Sequence, residues 1–175
     1  MKKIILGLVI LLTISLLAFL ISGIVRKLGN QKIITEKIST LPSFSFLTLL
    51  NEVYDAKDIK TGPILIVHFH PECEHCQYEI SEILKNKIAS SFDRVFLISS
   101  ANSDSIKFFL KLLNYTSSPN VTPLLDTGYH FEDIFGSGII PSSYIYDRKL
   151  NLVKVLHGEV KTETILKYLI ESEQD

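Results

Sequence analysis

The stretch that decides the fold, residues 64–88, reads ILIVHFHPECEHCQYEISEILKNKI. It begins with a nearly continuous apolar run, residues 64–69, which is typical of a parallel strand covered on both faces. The run stops at Pro71, and apolar residues then recur at helical spacing. The two cysteines of the chain, Cys73 and Cys76, lie where the strand gives way to the helix. The stretch therefore predicts a strand–loop–helix unit with a C-x-x-C pair at the N-terminus of the helix.

The rest of the chain continues the alternation of strands and helices. We expect strands at residues 44–47, 95–99, 124–125, 143–146 and 152–156, and helices around residues 106–113, 131–135 and 165–169. Ser103 is the predicted N-cap of the first of these helices. The polar residues 147–151 predict the turn of an antiparallel hairpin between the last two strands. Together these elements predict an α/β fold.

Length and charge limit the possible classes of function. The chain has 175 residues, which leaves one ordinary domain once an apolar N-terminal stretch is set aside. Its formal net charge is −1 at pH 7, and it has no basic run interleaved with aromatic residues. We therefore expect no nucleic-acid partner.

An uncharged run of residues 4–25 lies between two pairs of basic residues near the N-terminus. About 20 helical residues are enough to cross a hydrocarbon core of roughly 30 Å. A cleaved signal peptide, the alternative, has an apolar region of only about 7 to 15 residues and a small-x-small site, and neither is clear here. We predict an uncleaved transmembrane helix in residues 1–27, a stalk in residues 28–41 and a globular domain in residues 42–175.

The orientation of this anchor does not follow from charge, because basic residues flank both of its ends. A domain that faces the cytoplasm therefore stays an alternative. A reactive cysteine pair tethered to a membrane is most useful where disulfides form and persist. We accordingly expect a single-pass protein of the cell membrane with its domain on the extracytoplasmic (periplasmic) side.

The cysteine pair is a candidate for redox chemistry. Two cysteines three positions apart are too few and too close for a structural disulfide framework. At the start of a helix, Cys73 is favoured as a thiolate and is the predicted nucleophile. Cys76, one turn further on, would resolve the mixed disulfide by attacking Cys73. His75 adds positive charge near this thiolate and makes the disulfide more oxidising, whereas Glu74 acts in the opposite direction.

Three segments carry a resemblance to a known family. They are the end of the first strand, VHF (67–69), the motif CEHCQYE (73–79) and the segment GIIPSS (138–143) that leads into YIYD (144–147). They resemble the membrane-anchored TlpA/ResA-type thiol–disulfide oxidoreductases of the thioredoxin superfamily, over residues 42–175. The resemblance implies a thioredoxin-like fold, which is a central mixed sheet flanked by helices. It also implies protein substrates with thiols or disulfides and an upstream redox partner, and we expect no cofactor.

The resemblance assigns roles to further residues. Pro141 matches a cis-proline that faces the C-x-x-C pair, and Ile140 precedes it. Both are implied to present backbone to a substrate strand and to keep metal away from the thiolates. Glu79 matches a glutamate beside the active site of many relatives and could take the proton of Cys76, although a solvated helix face is the alternative. His68 matches a buried acid or amide, and we interpret it as a core histidine rather than a proton relay.

The sequence thus predicts a membrane-tethered reductase that exchanges disulfides with extracytoplasmic protein thiols. The direction of electron flow stays open. One alternative is a copper or zinc carrier in which both cysteines bind the metal together with His70 or His157. Another is a peroxiredoxin-like antioxidant, although His70 stands where such proteins carry a threonine three residues before the reactive cysteine.

Overall fold

The computed structural model describes residues 2–85, 88–115 and 117–174. In the first helix it describes the side chains of residue 7 and of residues 11–23 and 34–38. The chain divides into two compact units, Met1–Glu36 and Lys37–Asp175.

Helix α1, Lys2–Ile38, accounts for the first unit. Within the part of the chain that is described, no helix is both long enough and apolar enough to cross a membrane. The predicted anchor, residues 1–27, lies in part outside the residues whose side chains are described.

The second unit is built on a mixed sheet. Its described residues form seven strands in the order β2-β1-β5-β4-β3-β6-β7, in which β3, β4 and β5 run parallel to one another and the remaining pairs are antiparallel. The strands are β1 Ser45–Thr48, β2 Val53–Asp55, β3 Ile64–His68, β4 Arg94–Ser99, β5 Val121–Leu125, β6 Ser142–Tyr146 and β7 Leu152–His157. The predicted α/β class and its mixed central sheet are confirmed.

Helices flank this sheet. They are α2 Glu74–Lys85, α3 Ser103–Leu112, α4 Phe131–Phe135 and α5 Thr162–Ser172, with short 3₁₀ turns at Ala56–Asp58 and Ile88–Ser91. The predicted N-cap of α3 is wrong. Asn102 caps the helix, because its side-chain oxygen accepts the backbone N–H of Ser105 at 2.8 Å. Ser103 instead donates its hydroxyl to the carbonyl of Leu49.

Strand β2 was not predicted from the sequence. It is three residues long, pairs with β1 alone and lies at the edge of the sheet. Its pattern of exposed, intermediate and exposed residues carries no apolar period. A strand this short is specified by its partner strand rather than by its own residues.

Residues 38–41, which fall in the predicted stalk, bond to β6, to β7 and to the turn between them within the second unit. Ile38 is buried, and its carbonyl accepts the hydroxyl of Tyr146. Leu41 donates its N–H to the carbonyl of Leu150, and Leu152 donates to the carbonyl of Ser39, both at 2.8 Å. The second compact unit, Lys37–Asp175, includes these residues.

Strand β3 lies between β4 and β6, and its alternating side chains separate two cores. Leu65 and Val67 belong to a mainly aliphatic core together with residues of α2, α3 and α5. On the other face His68 stacks on Phe131 of α4, which packs in turn against a cluster of aromatic side chains. The end of β3 thus presents the cysteine loop on one side and His68 on the other.

Candidate active site

Cys73 immediately precedes the first residue of α2 and is half-buried. Its N–H donates to the carbonyl of His70 at 3.1 Å, and its carbonyl accepts the N–H of Gln77 at 2.9 Å. Its sulfur accepts the backbone N–H of Cys76 at 3.3 Å. One of the N–H groups in the first turn of the helix therefore points at this sulfur.

Cys76 lies one turn into α2 and is completely buried. Burial, the hydrogen bond with Cys73 and the negative charges of Cys73 and Glu79 raise the pKa of the Cys76 thiol to about 12. Cys76 thus keeps its proton at neutral pH, and Cys73 is the less buried of the two cysteines.

Glu79 is also completely buried, so it does not lie on a solvated face of the helix. Ser143 of β6 donates its hydroxyl to Oε1 at 2.6 Å, and the N–H of Val160 donates to Oε2 at 3.1 Å. Burial raises the pKa of the Glu79 carboxyl, and the negative charge of Glu159 adds to the rise, whereas the two hydrogen bonds oppose it. A carboxyl held in this way can bind and release a proton closer to neutral pH than an exposed one.

The loop between β7 and α5 reaches the same site. Glu159 Oε2 lies 2.6 Å from His75 Nδ1, and the next residue, Val160, holds Glu79. Gly158 has a φ of +78° and donates its N–H to the carbonyl of Pro141 at 2.8 Å. The loop therefore contacts the residue between the cysteines, the buried carboxyl and the proline segment. Sequence reasoning missed this loop because it lies more than 80 residues beyond the cysteines and carries no motif.

The remaining predicted residues lie around this centre. Glu74 is exposed in the first turn of α2. The peptide bond between Ile140 and Pro141 is cis. Since Ser142 pairs with His68 across antiparallel β6 and β3, Pro141 lies next to the loop that carries the cysteines. Ile140 is 38% exposed.

Comparison of the sequence with protein-family models and with curated proteins gives no match. Solved structures do match. A secreted disulfide oxidoreductase of Mycobacterium tuberculosis, described as homologous to Escherichia coli DsbE, is 16% identical with a TM-score of 0.62 over 78% of this chain and 98% of its own. An exposed lipoprotein thioredoxin of Streptococcus pneumoniae is 19% identical with a TM-score of 0.58 over 74% and 98%. The chain has a thioredoxin-like fold.

A thioredoxin-like fold by itself does not define the reaction. A peroxidoxin of Mycobacterium tuberculosis also matches, at 14% identity and a TM-score of 0.59 over 77% of this chain and 94% of its own. The function must therefore be argued from the cysteine site.

A copper or zinc carrier, the alternative from the sequence, needs several ligands around one ion. Among the described residues, no three histidine, cysteine, aspartate or glutamate side chains are placed to hold one metal ion. His157 Nδ1 lies 2.8 Å from the hydroxyl of Ser142, and His70 Nδ1 accepts the N–H of Glu72. His68 is 8% exposed and stacked on Phe131, with ring centroids 4.0 Å apart.

Proposed function

We propose that this chain is a thiol–disulfide oxidoreductase that acts through Cys73 and Cys76. The observation that carries the proposal is the unequal placement of the two sulfurs. Cys73 is half-buried and its sulfur accepts an N–H at the start of a helix, while Cys76 is completely buried and its thiol has a raised pKa. One sulfur is thereby suited to attack a substrate and the other to act second.

In the reducing direction, the Cys73 thiolate attacks one sulfur of a substrate disulfide. The substrate S–S bond breaks, one substrate thiolate leaves, and a mixed disulfide forms. Cys76 then loses its proton and attacks the sulfur of Cys73, which releases the second substrate thiolate. Two electrons pass to the substrate, and the Cys73–Cys76 disulfide must be reduced again by an upstream dithiol partner.

Glu79 is proposed as the acceptor of the Cys76 proton. With a pKa near 12, only about one Cys76 thiol in 10⁵ is ionised at pH 7, so an unassisted attack is slow. Glu79 lies one helical turn from Cys76 and interacts with it electrostatically. The raised pKa of the Glu79 carboxyl is closer to the pKa of the Cys76 thiol than an ordinary carboxyl pKa is. This smaller difference favours proton transfer from the thiol to the carboxylate.

Ile140 and Pro141 are proposed to hold the substrate next to Cys73. The backbone of this segment precedes β6, and the side chain of Ile140 is partly exposed beside the cysteine loop. An extended substrate segment can hydrogen-bond to backbone of this kind, as a strand added to a sheet does. Glu74 and His75 are proposed to tune the charge near the Cys73 sulfur.

We also propose that the domain works outside the cytoplasm, tethered by the uncharged run of residues 4–25. Two of the similar structures belong to proteins described as secreted and as an exposed lipoprotein, which supports the same side of the membrane. A membrane-impermeant thiol reagent added to intact cells tests this placement. Cys73 should react from outside, and reaction only after lysis would contradict the proposal.

The test of the reaction is a redox titration of the full chain in dithiothreitol or glutathione buffers, followed by alkylation and mass measurement. A potential near about −270 mV supports a reductase, whereas one near about −120 mV supports a disulfide donor. Cys73→Ser should abolish the two-electron transition, and Cys76→Ser should trap a mixed disulfide at Cys73. If no reversible intramolecular disulfide forms, the oxidoreductase proposal is wrong.

A further inference from the structure

Ser143 occupies a position in β6 where the fold favours an apolar side chain. It pairs with Val67 of β3, and residues paired across two strands point to the same face of the sheet. That face carries the mainly aliphatic core, to which Val67 and Ile145, two residues further along β6, both belong. Ser143 is only 1% exposed, and a buried hydroxyl destabilises a fold unless it is hydrogen-bonded. The hydrogen-bond partner of Ser143 therefore indicates why a serine stands here.

That partner is the side chain of Glu79, which is also completely buried. Ser143 Oγ lies 2.6 Å from Oε1 of Glu79. The other oxygen, Oε2, accepts the N–H of Val160 at 3.1 Å. The two bonds come from different elements, the strand β6 and the loop between β7 and α5. Together they fix the position of the carboxyl group and the orientation of its plane near Cys76.

The two donors differ in what they can do once Glu79 has taken up a proton. The backbone N–H of Val160 can only donate, so it has no bond to make with a protonated oxygen. A serine hydroxyl donates one hydrogen bond, accepts others and rotates about its C–O bond. By rotation alone, Ser143 can therefore donate to a Glu79 carboxylate and accept from a Glu79 carboxylic acid.

The titratable groups near Glu79 come from α2 and from the loop between β7 and α5. Cys76 lies one turn before Glu79 on α2, and Cys73 carries no charge while it is bound to the substrate. Glu159 of the loop adds a negative charge, and its Oε2 lies 2.6 Å from His75 Nδ1. No cation is thus placed directly against the Glu79 carboxylate by these two elements.

The sheet and α5 supply no charge to Glu79 either. His68 and the tyrosines of β6 lie on the opposite face of the sheet. Lys154 of β7 holds its ammonium group 5.1 Å from the centre of the Tyr168 ring, and α5 faces the core with apolar side chains. Burial raises the pKa of Glu79, and of the two hydrogen bonds that lower it the bond from Ser143 has the larger effect.

We propose that Ser143 is a positioning residue for the attack of Cys76 on the mixed disulfide. Its hydroxyl donates to Oε1 while the Glu79 carboxylate awaits the proton of Cys76, and it accepts from the same oxygen once the proton has arrived. In this step the S–H bond of Cys76 breaks and an O–H bond forms on Glu79. The Cys76 sulfur bonds to the Cys73 sulfur, the substrate thiolate leaves, and Ser143 keeps its own proton throughout. The proposal rests on the oxidoreductase function and specifies what holds its base in place.

The test is a single-turnover reaction of the reduced full chain with a peptide disulfide, quenched in acid at a series of pH values and measured by mass spectrometry. Ser143→Ala removes the hydroxyl without adding volume to the core. Because the loss of this bond raises the pKa of Glu79 further, the mixed disulfide should decay about tenfold more slowly at pH 7. The rise of the decay rate with pH should also move to higher pH. Attack by Cys73 should keep its rate constant within a few-fold.

Ser142→Ala is the matched control. Ser142 is the neighbouring buried serine of β6, but its hydroxyl donates to the carbonyl of Ile139 rather than to Glu79. This variant should keep the pH dependence of the wild type in the second step. If Ser143→Ala and Ser142→Ala show the same pH dependence, the proposal is overturned.

A second pair of variants separates the hydroxyl from the packing of the side chain. Ser143→Thr keeps the hydroxyl, and Ser143→Val has the shape of the threonine without it. Both add a similar volume to the core, so a packing defect affects them alike. The mixed disulfide should decay about tenfold faster in Ser143→Thr than in Ser143→Val, and equal decay rates would contradict the proposed hydrogen bond.

A double variant connects Ser143 to its base. Once Glu79→Gln has removed the proton acceptor, adding Ser143→Ala should slow the decay no further. A further tenfold loss would mean that Ser143 acts independently of Glu79, against the proposal.

The same assay distinguishes this proposal from the function on which it rests. A wild-type chain that forms no mixed disulfide at Cys73 lacks the oxidoreductase function, and the role of Ser143 falls with it. A chain that forms and resolves the mixed disulfide equally fast with and without the Ser143 hydroxyl has the function without this positioning residue.

Discussion

Replacing Glu79 by glutamine tests the proposed proton transfer most directly. The amide has nearly the same shape, and its carbonyl oxygen can still accept the hydroxyl of Ser143. Its NH₂ group, however, faces the N–H of Val160, so two donors meet where one hydrogen bond existed. Glu79→Gln should therefore lower the free energy of unfolding by about 1 to 3 kcal/mol.

The kinetic effect belongs to the second step of the reaction. A positioned general base contributes roughly 10² to 10⁴ in rate. We expect Glu79→Gln to slow the attack of Cys76 by about 100-fold, the lower end of this range. The negative charge of Glu79 is one cause of the raised pKa of Cys76, so its removal also lowers that pKa and partly compensates for the lost base. Attack by Cys73 on the substrate should keep its rate constant within a few-fold, so the mixed disulfide should accumulate.

The assay is a single-turnover reaction of reduced protein with a peptide disulfide, quenched in acid and measured by mass spectrometry. The mixed disulfide at Cys73 should be transient in the wild type and long-lived in Glu79→Gln. Glu163→Gln, a change at an exposed position on α5, is the control for the loss of one negative charge. If the mixed disulfide of Glu79→Gln decays as fast as that of the control, Glu79 does not take the proton.

Three further predictions concern charge, pH and stability. Glu159→Gln removes a negative charge beside His75 and should make the redox potential about 5 to 20 mV less negative, measured by glutathione titration; a shift to more negative values would contradict the proposed role of the pair. The pKa of His68 is about 4 in the folded domain, against an ordinary value near 6.5. Between pH 6.5 and pH 4 the imidazole is therefore protonated in the unfolded chain but neutral in the folded one, so that lowering the pH destabilises the fold. Between pH 7 and pH 4 the free energy of unfolding, measured in urea, should therefore fall by up to about 3 kcal/mol more in the wild type than in His68→Phe. If the free energies of the two proteins fall equally with pH, His68 is not a neutral buried ring. In the same assay Asn102→Ala should lower the free energy of unfolding by about 1 kcal/mol, and Ser103→Ala should lower it by less. A larger loss for Ser103→Ala would mean that Ser103 is the N-cap, as the sequence predicted.

The elements around the cysteines were predictable because their signals are local. An apolar run, a proline and a helical period follow one another between residues 64 and 88, and each of them acts within a few residues of chain. The strand β3, the helix α2 and the place of Cys73 just before it follow from these signals alone. The hairpin β6–β7 was predictable for the same reason, since its turn is a short polar stretch between two apolar runs.

Local sequence signals did not predict the N-cap of α3 or the strand β2. Asn102 and Ser103 are both good N-cap residues by type. Ser103 donates its hydroxyl to the carbonyl of Leu49, which lies 54 residues earlier in the chain, and Asn102 caps the helix. Strand β2 likewise exists because β1 pairs with it. In both cases the deciding partner is distant in the chain.

The chemistry of the site shows the same division. The pattern of Cys73 and Cys76 predicts disulfide exchange before the fold is known, because a cysteine at the start of a helix is favoured as the reactive thiolate. The antiparallel strands β6 and β7 bring residues 159–160 back to α2. Only this return buries Glu79, bonds it to Val160 and places Glu159 against His75. Hydrogen bonds and charges act over a few ångströms, so residues separated by more than 80 positions interact only once the sheet has placed them together.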